Sequence, residues 1–514
     1  MNTTLRRLSA VVMAMFLVLM VSTTYIQYVR AGELNEDSRN ARKIYRDLGA
    51  ARGPIVVGDE NIVISKEVDD DYGRQRIYAG GKGEVASMYA PITGYFAVTG
   101  SVSGLENANN DYLSGRADSL WLDQLQNLIT GQTAEGSSVV TTIDPAVQQA
   151  AWDALGDYTG AAVALDPKTG AILAMVSKPS YDPNTMAVHD GQEASAAINI
   201  AAATTPVVGS LAGEERRSSY SVLHNRTINA LYPPGSTFKV FTSAAAIESG
   251  KFRADTKVPA PNGYTLTGTQ TKVNNFGGYE CVAGQSEITL TEALKVSCNS
   301  AYLWLGGKVG AEAMGDMFED FHFDEALEVP LDTTAGTYPG VDNNEGTTTA
   351  PIELTGMGQG GVLKLSPLQV AMMTATVANG GTEMQPYLVD EIRDSSLNTV
   401  EKTQPDVLGN PISSSTAEDL RAMMTEVVNG EGGSGVNAQI PGVTVAGKTG
   451  TAEDPPRQPT LWFTGFAPAE DPQVAVAVVL ENAGASTEET ASSALAAPVA
   501  KAVLEAALQS GSDR

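Results

Sequence analysis

The amino-acid sequence predicts an α+β protein with one membrane helix, an elongated N-terminal module and a larger mixed domain. An apolar segment without charged residues extends from Leu8 to Val29. Polar sequence punctuated by glycine follows to about residue 158. Beyond it, strand patterns lie at both ends of the remaining chain and helical patterns lie between them. This arrangement predicts a single antiparallel sheet that is assembled from both termini of one domain and flanked by helices.

The apolar segment is long enough to cross a ~30 Å hydrocarbon core as one helix. A cleaved signal peptide usually has an apolar region of roughly 7–15 residues and a cleavage site of small residues, and neither feature fits this segment. We therefore expect an uncleaved signal anchor. Arg6 and Arg7 precede it, but Arg30 and further basic residues follow it, so charge counting leaves its orientation open.

The next region, residues 30 to 158, is expected to form strands and loops with little periodic helix. One short charged helix is expected near Arg39 to Leu48. Towards the end of the region, Pro145 stands at a first helical position and predicts an amphipathic helix through Leu155.

The larger domain shows clear signals for its elements. "AAVALDPKTGAILAMVS" is typical of a β-hairpin, and "LSPLQVAMMTATVANGG" is typical of a helix capped by Ser366 and ended near Gly380. Three segments near the C-terminus, "GVTVAGKTGTAE", "TLWFTGFAPA" and "QVAVAVVLENA", predict strands. An Ala/Leu-rich helix from Ser492 to Leu508 is expected to follow them.

Composition excludes several classes of function. The 514 residues include 42% hydrophobic and 18% charged residues, which indicates a sizeable folded core. A net charge of -27 without a basic run disfavours nucleic acid as a partner. Two cysteines cannot form a zinc site alone, and the three histidines stand in no metal-binding or catalytic motif. We expect neither a metal ion nor a cofactor.

The octapeptide "YPPGSTFK" places a serine and a lysine at the start of an apolar helix. The preceding prolines and glycine cannot continue a helix, so Ser236 is predicted at the helix start. Residues three apart share a helical face, and Lys239 is therefore expected to point its amine back towards the Ser236 hydroxyl. Alone, this short pattern could equally be a capping serine and a solvated lysine.

Two later stretches change that interpretation. Ser297 and Asn299 form an S-x-N pattern, and Lys448, Thr449 and Gly450 form K-T-G. The order S-x-x-K, S-x-N and K-T-G is the signature of serine acyltransferases that act on D-Ala-D-Ala peptides and β-lactams. The chain thus resembles the penicillin-binding proteins, and among them the class B transpeptidases of the actinobacterial A type. "NRTINALYPPGSTFK", "LTGMGQG" and "LWFTGFAP" also resemble family landmarks, whereas "RGPIVVGDE" lacks the fuller continuation of the family's N-terminal module.

The resemblance implies a division of roles. Ser236 is expected to be the nucleophile and Lys239 its base. Ser297 is expected to relay the proton to the leaving D-alanine, and Asn299 to hold the substrate amide and orient Lys239. The strand motif is expected to bind substrate: Lys448 and Thr449 at the terminal carboxylate, Gly450 allowing close approach of the peptide, and Thr451 completing the oxyanion hole with the Ser236 N–H.

The resemblance also implies a fold and a location. The expected fold is the penicillin-binding and serine β-lactamase-like type, with an added all-helical lobe. We divide the chain into a cytoplasmic tail (1–7), a transmembrane anchor (8–29), an N-terminal pedestal of the dimerisation type (30–158) and a transpeptidase domain (159–514). The protein is then a single-pass type II membrane protein whose catalytic domain acts outside the cell membrane on lipid-linked or nascent peptidoglycan and binds β-lactams.

Several alternatives stay open at this stage. A D,D-carboxypeptidase shares the chemistry, a β-lactamase shares the motifs, and a non-catalytic scaffold could retain the fold. The pedestal has too few residues for a glycosyltransferase domain with a linker, so a separate glycosyltransferase and other wall-synthesis proteins are the expected partners.

The two cysteines, Cys281 and Cys298, are expected to form a disulfide. Cys298 lies between Ser297 and Asn299. An exported domain meets an oxidising exterior, where paired cysteines close. A disulfide that closes such a short loop would raise the free energy of unfolding by ~3 kcal/mol, if it acts by restricting the unfolded chain. Two buried free thiols are the alternative.

Overall fold

The chain begins with an exposed apolar helix. In the computed structural model it extends over Thr3–Thr24 and continues as a π-helical turn over Tyr25–Val29. The segment Arg6–Val29 is long and apolar enough to cross a membrane, and none of it is buried against the rest of the protein. A second helix of sufficient length and composition, Ala491–Gly511, is half-buried in the protein. The first helix therefore fits the predicted single-pass anchor.

The structure describes residues 3–30, 48–120, 135–211, 214–339, 349–453, 459–481 and 489–512. The charged helix expected near Arg39 to Leu48 lies outside these ranges except for its last residue. After the N-terminal helix, the described α-helices are Gly83–Thr93, Gly104–Ala108, Asn110–Leu113, Pro145–Leu155, Gly191–Ala203, Lys239–Glu248, Leu290–Lys295, Asn299–Val309, Ala311–Asp320, Thr349–Gly356, Pro367–Ala378, Ser414–Asn429 and Glu489–Ser512.

A six-stranded sheet, here called the shared sheet, joins the pedestal to the larger domain. Its strands in spatial order are Thr399–Lys402, Val389–Arg393, Ser138–Thr141, Ile55–Val57, Glu60–Glu67 and Arg74–Tyr78. The hairpin 389–402 belongs to the sequence of the larger domain, yet it pairs antiparallel with Ser138–Thr141 of the pedestal. Backbone hydrogen bonds of one sheet therefore cross the expected boundary at residue 158.

A buried ion cluster supports the pedestal beside this sheet. Glu106 is fully buried and accepts hydrogen bonds from Arg52 Nη2 at 2.8 Å and from Arg76 Nε at 2.7 Å. Tyr78 donates its hydroxyl to the same carboxylate at 3.3 Å. Burial opposes ionisation of Glu106, but the two arginines together hold the pKa of its carboxyl below the ordinary value. The buried charges of the cluster thus compensate one another only while the glutamate and both arginines are present.

We expect Glu106→Gln to destabilise the pedestal by about 3–5 kcal/mol, because it leaves two buried arginines without a counter-charge. Hydrogen exchange measured by mass spectrometry should show faster exchange in peptides covering residues 52–113. Peptides from the strand Val474–Glu481 should keep their protection. Glu67→Gln is the matched control, since Glu67 pairs with Arg74 at an exposed site and its loss should change little. Equal effects of the two variants would contradict the role given to the cluster.

A five-stranded antiparallel sheet, here called the main sheet, forms the centre of the larger domain. Its strands in spatial order are Ala446–Ala452, Thr460–Ala467, Val474–Glu481, Gly160–Leu165 and Ile172–Lys178. The prediction of one sheet assembled from both ends of the domain is therefore confirmed. Both faces are buried: the helices Pro145–Leu155 and Glu489–Ser512 pack on one, and Pro367–Ala378 packs on the other.

Several smaller predictions can now be compared with the structure. The capped helices at Pro145 and Pro367 are confirmed, with Asp144 and Ser366 accepting hydrogen bonds at their N-termini. The expectation of little helix in the pedestal was wrong, since Gly83–Thr93 is helical and contains Pro91. Six of its residues are buried, and Pro91 interrupts the sequence pattern within its last turn, so the local signal for a helix is weak.

The remaining strands form four short two-stranded pairs within the described residues. They are Val207–Leu211 with Glu214–Arg217, Lys257–Pro259 with Glu287–Thr289, Tyr264–Thr265 with Lys272–Val273, and Glu383–Met384 with Val407–Gly409. The helices between residues 239 and 356 form a lobe beside the edge strand Ala446–Ala452 of the main sheet. The predicted motifs meet where this lobe and this edge strand adjoin.

Candidate active site

Ser236 lies in a turn between the lobe and the main sheet. Gly235–Phe238 is a 3-10 turn, and the α-helix begins at Lys239, three residues later than the helix start predicted at Ser236. Gly235 adopts a φ of 55°, and a Cβ there would lie 2.7 Å from the Thr451 carbonyl oxygen. Only glycine therefore lets the turn approach the edge strand so closely. Ser236 lines an open cavity of about 610 Å³ together with Asn299 and Thr451.

Lys239 is fully buried and directs its amine at the second motif. Its Nζ donates hydrogen bonds to the Ser297 carbonyl oxygen at 2.7 Å and to Asn299 Oδ1 at 2.7 Å. The Ser297 hydroxyl lies 3.1 Å away. The two groups that hold the amine lie about 60 residues after Lys239 in the sequence. The first two motifs therefore meet as predicted.

Ser297 connects the two lysines. Lys448 Nζ donates to Ser297 Oγ at 2.9 Å, the same atom that lies 3.1 Å from Lys239 Nζ. Ser297 has a φ of 57°, which is uncommon for a residue with a side chain and costs of order 1–3 kcal/mol. This conformation follows the helix Leu290–Lys295 and precedes Asn299–Val309, so it turns the chain sharply at the motif. The Ser297 hydroxyl consequently bridges the first and third motifs.

The third motif occupies the edge strand of the main sheet. Lys448 and Thr449 are fully buried. A Cβ on Gly450 would lie 2.9 Å from the Thr237 nitrogen and 3.0 Å from the Pro234 carbonyl oxygen. In the structure, this glycine therefore lets the strand pack against the Ser236 turn, whereas the sequence suggested close approach of a substrate peptide. The strand and the nucleophile turn are thus fitted to each other.

Comparison with known proteins decides the family. The model of the penicillin binding protein transpeptidase domain matches residues 160–505, and the model of the penicillin binding protein A dimerisation domain matches residues 52–139. The chain belongs to the penicillin-binding proteins. Neither matching family model describes a glycosyltransferase. The predicted fold class and the predicted family are therefore confirmed.

Two relatives and one solved structure agree with this assignment. The chain is 38% identical to peptidoglycan D,D-transpeptidase PbpA of Mycolicibacterium smegmatis over the full length of both chains. It is 37% identical to PbpA of Mycobacterium tuberculosis over 99% of each chain. A ceftriaxone acyl-enzyme structure of penicillin-binding protein A from M. tuberculosis superimposes with a TM-score of 0.81 and 34% identity, covering 90% of this chain and 100% of that one. This penicillin-binding protein is accordingly a class B D,D-transpeptidase, as the motifs predicted.

Three residues of this penicillin-binding protein contact the motif strand but were missed in the sequence. Thr449 donates its hydroxyl to Ser434 Oγ at 3.1 Å. Ser492 Oγ lies 2.7 Å from Thr451 Oγ1 and donates to the Gly450 carbonyl oxygen at 2.6 Å. Gln359 donates to the Thr451 carbonyl oxygen at 3.3 Å.

Only Gln359 could have been found in advance, because it lies in the landmark "LTGMGQG". The two serines belong to no motif. His189 contacts Asp70, His224 contacts Ser221 and His322 contacts Glu383. None of these contacts belongs to the arrangement around Ser236. Among the described residues, no group of three or more His, Cys, Asp or Glu side chains could hold a metal ion.

A disulfide joins Cys281 to Cys298 beside the second motif. Its loop is also attached through Asn275, whose Oδ1 accepts a hydrogen bond from the Ser300 nitrogen at 2.9 Å. Phe276, on the same loop, lines the cavity of Ser236 and is 45% exposed. The loop that carries this cavity wall is therefore fixed at two points to the start of the helix Asn299–Val309.

Proposed function

We propose that this D,D-transpeptidase cross-links stem peptides through an acyl-enzyme on Ser236. The observation that carries this assignment is the hydrogen-bonded chain Lys239–Ser297–Lys448 beside the cavity that Ser236 lines. These three side chains supply a base, a hydroxyl group that can relay a proton, and a cation within one site. Such a set suits a serine nucleophile, which is weak until a base accepts its proton.

Lys239 is proposed to act as the base in its neutral form. A neutral amine has two N–H groups, and the Ser297 carbonyl and Asn299 Oδ1 are two matching acceptors. In that form the nitrogen carries a lone pair that can accept a hydroxyl proton, and Ser297 Oγ lies 3.1 Å from it. Burial of the lysine and the nearby cation Lys448 both disfavour the charged form.

Acylation then proceeds in balanced steps. Ser236 Oγ bonds to the carbonyl carbon of the penultimate D-alanine while its proton passes to Lys239. The backbone N–H groups of Ser236 and Thr451 stabilise the oxyanion. Thr451 lies on an edge strand of the main sheet, and among the described residues no further strand pairs with its outer side. The C–N bond to the terminal D-alanine breaks, and the proton reaches the leaving amine through Ser297. An acceptor amine subsequently attacks the ester, forms the cross-link and returns the proton to Ser236.

The third motif is proposed to bind the terminal carboxylate of the donor peptide. Lys448 is fully buried and hydrogen-bonded to Ser297. Because water screens a buried charge less than an exposed one, its ammonium group should attract a carboxylate bound nearby more strongly than a surface lysine would. In the structure the Thr449 hydroxyl donates to Ser434 Oγ, so Thr449 would have to exchange this partner for the carboxylate when the peptide binds.

The wider setting is also part of the proposal. The helix Arg6–Val29 anchors the protein with the catalytic domain outside the cell membrane, in type II orientation. Lipid-linked or nascent peptidoglycan is the substrate, and β-lactams are covalent inhibitors. A separate glycosyltransferase supplies the glycan strands. The family assignment and the matched domains support this setting.

A product assay tests the proposed function against its alternatives. The full-length protein is incubated with a peptide ending in D-Ala-D-Ala, with and without an amino-acid acceptor, and products are identified by mass spectrometry. A new amide with release of D-alanine is the expected result. The free acid as sole product would favour a carboxypeptidase, rapid turnover of penicillin G would favour a β-lactamase, and absence of any reaction would favour a scaffold.

We expect reduction of the Cys281–Cys298 disulfide to slow acylation by penicillin G more than it lowers stability. The bond holds the segment that contains Ser297 and Asn299, and a hydroxyl displaced by about 1 Å relays protons poorly. The acylation rate and the thermal unfolding midpoint should be measured before and after reduction of the intact protein. A Ser236→Ala sample gives the background of the rate assay. A fall in the midpoint with an unchanged acylation rate would contradict this role.

A further inference from the structure

A buried charge cluster lies behind the Ser236 turn, outside the hydrogen-bonded chain of the active site. Arg226 Nε donates to Glu481 Oε1 at 2.9 Å, and the two side chains are 0% and 5% exposed. Tyr232 donates its hydroxyl to the same oxygen at 2.7 Å. Glu481 ends a strand of the main sheet, whereas Tyr232 stands four residues before Ser236. One carboxylate oxygen therefore ties the sheet to the segment that carries the nucleophile.

Arg226 extends this tie to the preceding loop. Its Nη2 donates to the Tyr220 carbonyl oxygen at 2.9 Å. The Tyr220 hydroxyl in turn donates to the Leu231 carbonyl oxygen at 3.0 Å and accepts from the Leu231 nitrogen at 2.9 Å. The residue immediately before Tyr232 is thus fixed through both of its backbone polar groups.

The same segment is also attached to the strands of the third motif. Trp462 donates its indole N–H to the Pro233 carbonyl oxygen at 3.0 Å. Trp462 stands directly opposite Gly450 in the antiparallel ladder. The rings of Tyr232 and Trp462 meet edge to face with centroids 6.0 Å apart. Displacement of Tyr232 would therefore change how the Ser236 turn meets the strand that bears Lys448 and Thr451.

Stability alone does not explain such a cluster. A buried ion pair is often no more stabilising than apolar side chains of similar volume, because both charges lose their hydration. Its hydrogen bonds are directional, however, and fix the groups they join. Burial raises the pKa of the Tyr232 hydroxyl well above its ordinary value, as does the adjacent Glu481 carboxylate, so the hydroxyl stays a donor.

We infer that Tyr232 is a positioning residue for acylation, held by Glu481 and Arg226, and that it sets the place of Ser236 relative to Thr451, whose N–H completes the proposed oxyanion hole. This inference rests on the proposed role of Ser236 as nucleophile. Tyr232 contacts no reacting atom and acts only through the turn that it holds. Its loss should therefore lower the rate of the chemical step and leave non-covalent binding of the ligand nearly unchanged.

The pedestal provides a matched control. Tyr78 is also a fully buried tyrosine that donates its hydroxyl to a buried, arginine-paired glutamate, Glu106. Replacing either tyrosine by phenylalanine deletes one hydroxyl from a buried cluster of tyrosine, glutamate and arginine. The pedestal cluster has two arginines, and the Tyr78 hydroxyl also accepts a hydrogen bond from the Phe96 nitrogen at 2.8 Å, so its loss should cost at least as much stability. Only Tyr232 belongs to the segment that leads to Ser236. If loss of stability slowed acylation, both variants should be slow, whereas an effect on the position of Ser236 should slow only Tyr232→Phe.

The test compares Tyr232→Phe and Tyr78→Phe in the full-length protein in detergent. Rapid mixing with penicillin G over a range of concentrations separates the dissociation constant of the non-covalent complex from the first-order acylation constant. We expect the acylation constant of Tyr232→Phe to fall about tenfold, less than the ~10² that a 1 Å misplacement can cost, with the dissociation constant within about twofold. Tyr78→Phe should keep both constants within about twofold of the unmodified protein.

Each other outcome has a defined meaning. An unchanged acylation constant in Tyr232→Phe would overturn the inference, and so would equal slowing in the two variants or a loss that lies only in the dissociation constant. Thermal unfolding of both variants identifies any misfolded sample, and Glu481→Gln provides a second variant that keeps the acceptor but removes its charge. Absence of penicillin labelling on Ser236 of the unmodified protein would instead defeat the proposed function.

Discussion

Replacement of Ser236 by alanine is expected to abolish covalent labelling by penicillin G. In the unmodified protein the drug should acylate Ser236 and the adduct should persist, because the ester forms in a site built for an acyl-enzyme. Removal of the hydroxyl leaves Lys239 without a nucleophile to activate. The loss should be at least about 10³-fold, since catalytic groups that act as a unit fail together.

Intact-mass measurement and peptide mapping check this expectation. Ser249→Ala is the control, because Ser249 follows the same helix at its other end. Its hydroxyl donates to the Ala246 carbonyl oxygen and accepts from the Lys251 nitrogen, and neither partner belongs to the active site. Its labelling should match that of the unmodified protein. An adduct that maps to another residue, or one that still forms in Ser236→Ala, would refute the assignment of the nucleophile. The thermal unfolding midpoint of Ser236→Ala should remain close to the original, since the fold does not depend on this hydroxyl.

Lys239→Arg is expected to stop acylation almost completely, with a fall on the order of 10²–10⁴-fold. Arginine keeps the positive charge but cannot give up its proton in a protein, so it cannot accept the proton of Ser236. Lys448→Arg should retain measurable acylation, because the role proposed for Lys448 needs only a cation that donates hydrogen bonds. The two lysines therefore have opposite requirements despite their shared contact with Ser297.

Comparing the two arginine variants controls for the steric effect of the larger side chain. Both lysines are fully buried, so the larger guanidinium meets a comparable steric obstacle at each position. A difference in acylation between variants of similar unfolding temperature would then report the need for a neutral base. Equal loss in both variants would argue against the division of roles between Lys239 and Lys448.

Much of the fold could be predicted because local sequence patterns indicate its strands and helices. The strand Val474–Glu481 at the centre of the main sheet is a continuous apolar run up to its last residue, and the helix at Pro367 has a complete capping box with Ser366 and Gln369. The order of the three motifs predicted that Ser236, Ser297 and Lys448 would meet, and the structure brings their segments together.

Other features depend on contacts that no local pattern records. The left-handed backbone of Ser297 lies between two consecutive helices, and nothing in "KVSCNS" identifies it. The tight approach of Gly450 to Thr237 exists only once the strand and the turn are assembled. The pairing of the hairpin 389–402 with the pedestal joins segments about 250 residues apart, and sequence periodicity carries no information about such a partner.

The shared sheet limits how this protein can be divided. If the chain were cut at residue 158, the strand Val389–Arg393 would lose its neighbour Ser138–Thr141 and present bare backbone N–H and C=O groups to solvent. An exposed strand edge of this kind readily pairs with other chains and promotes aggregation. A soluble fragment made for crystallisation or drug screening should therefore start upstream of Arg52, so that the hairpin keeps its covering strand.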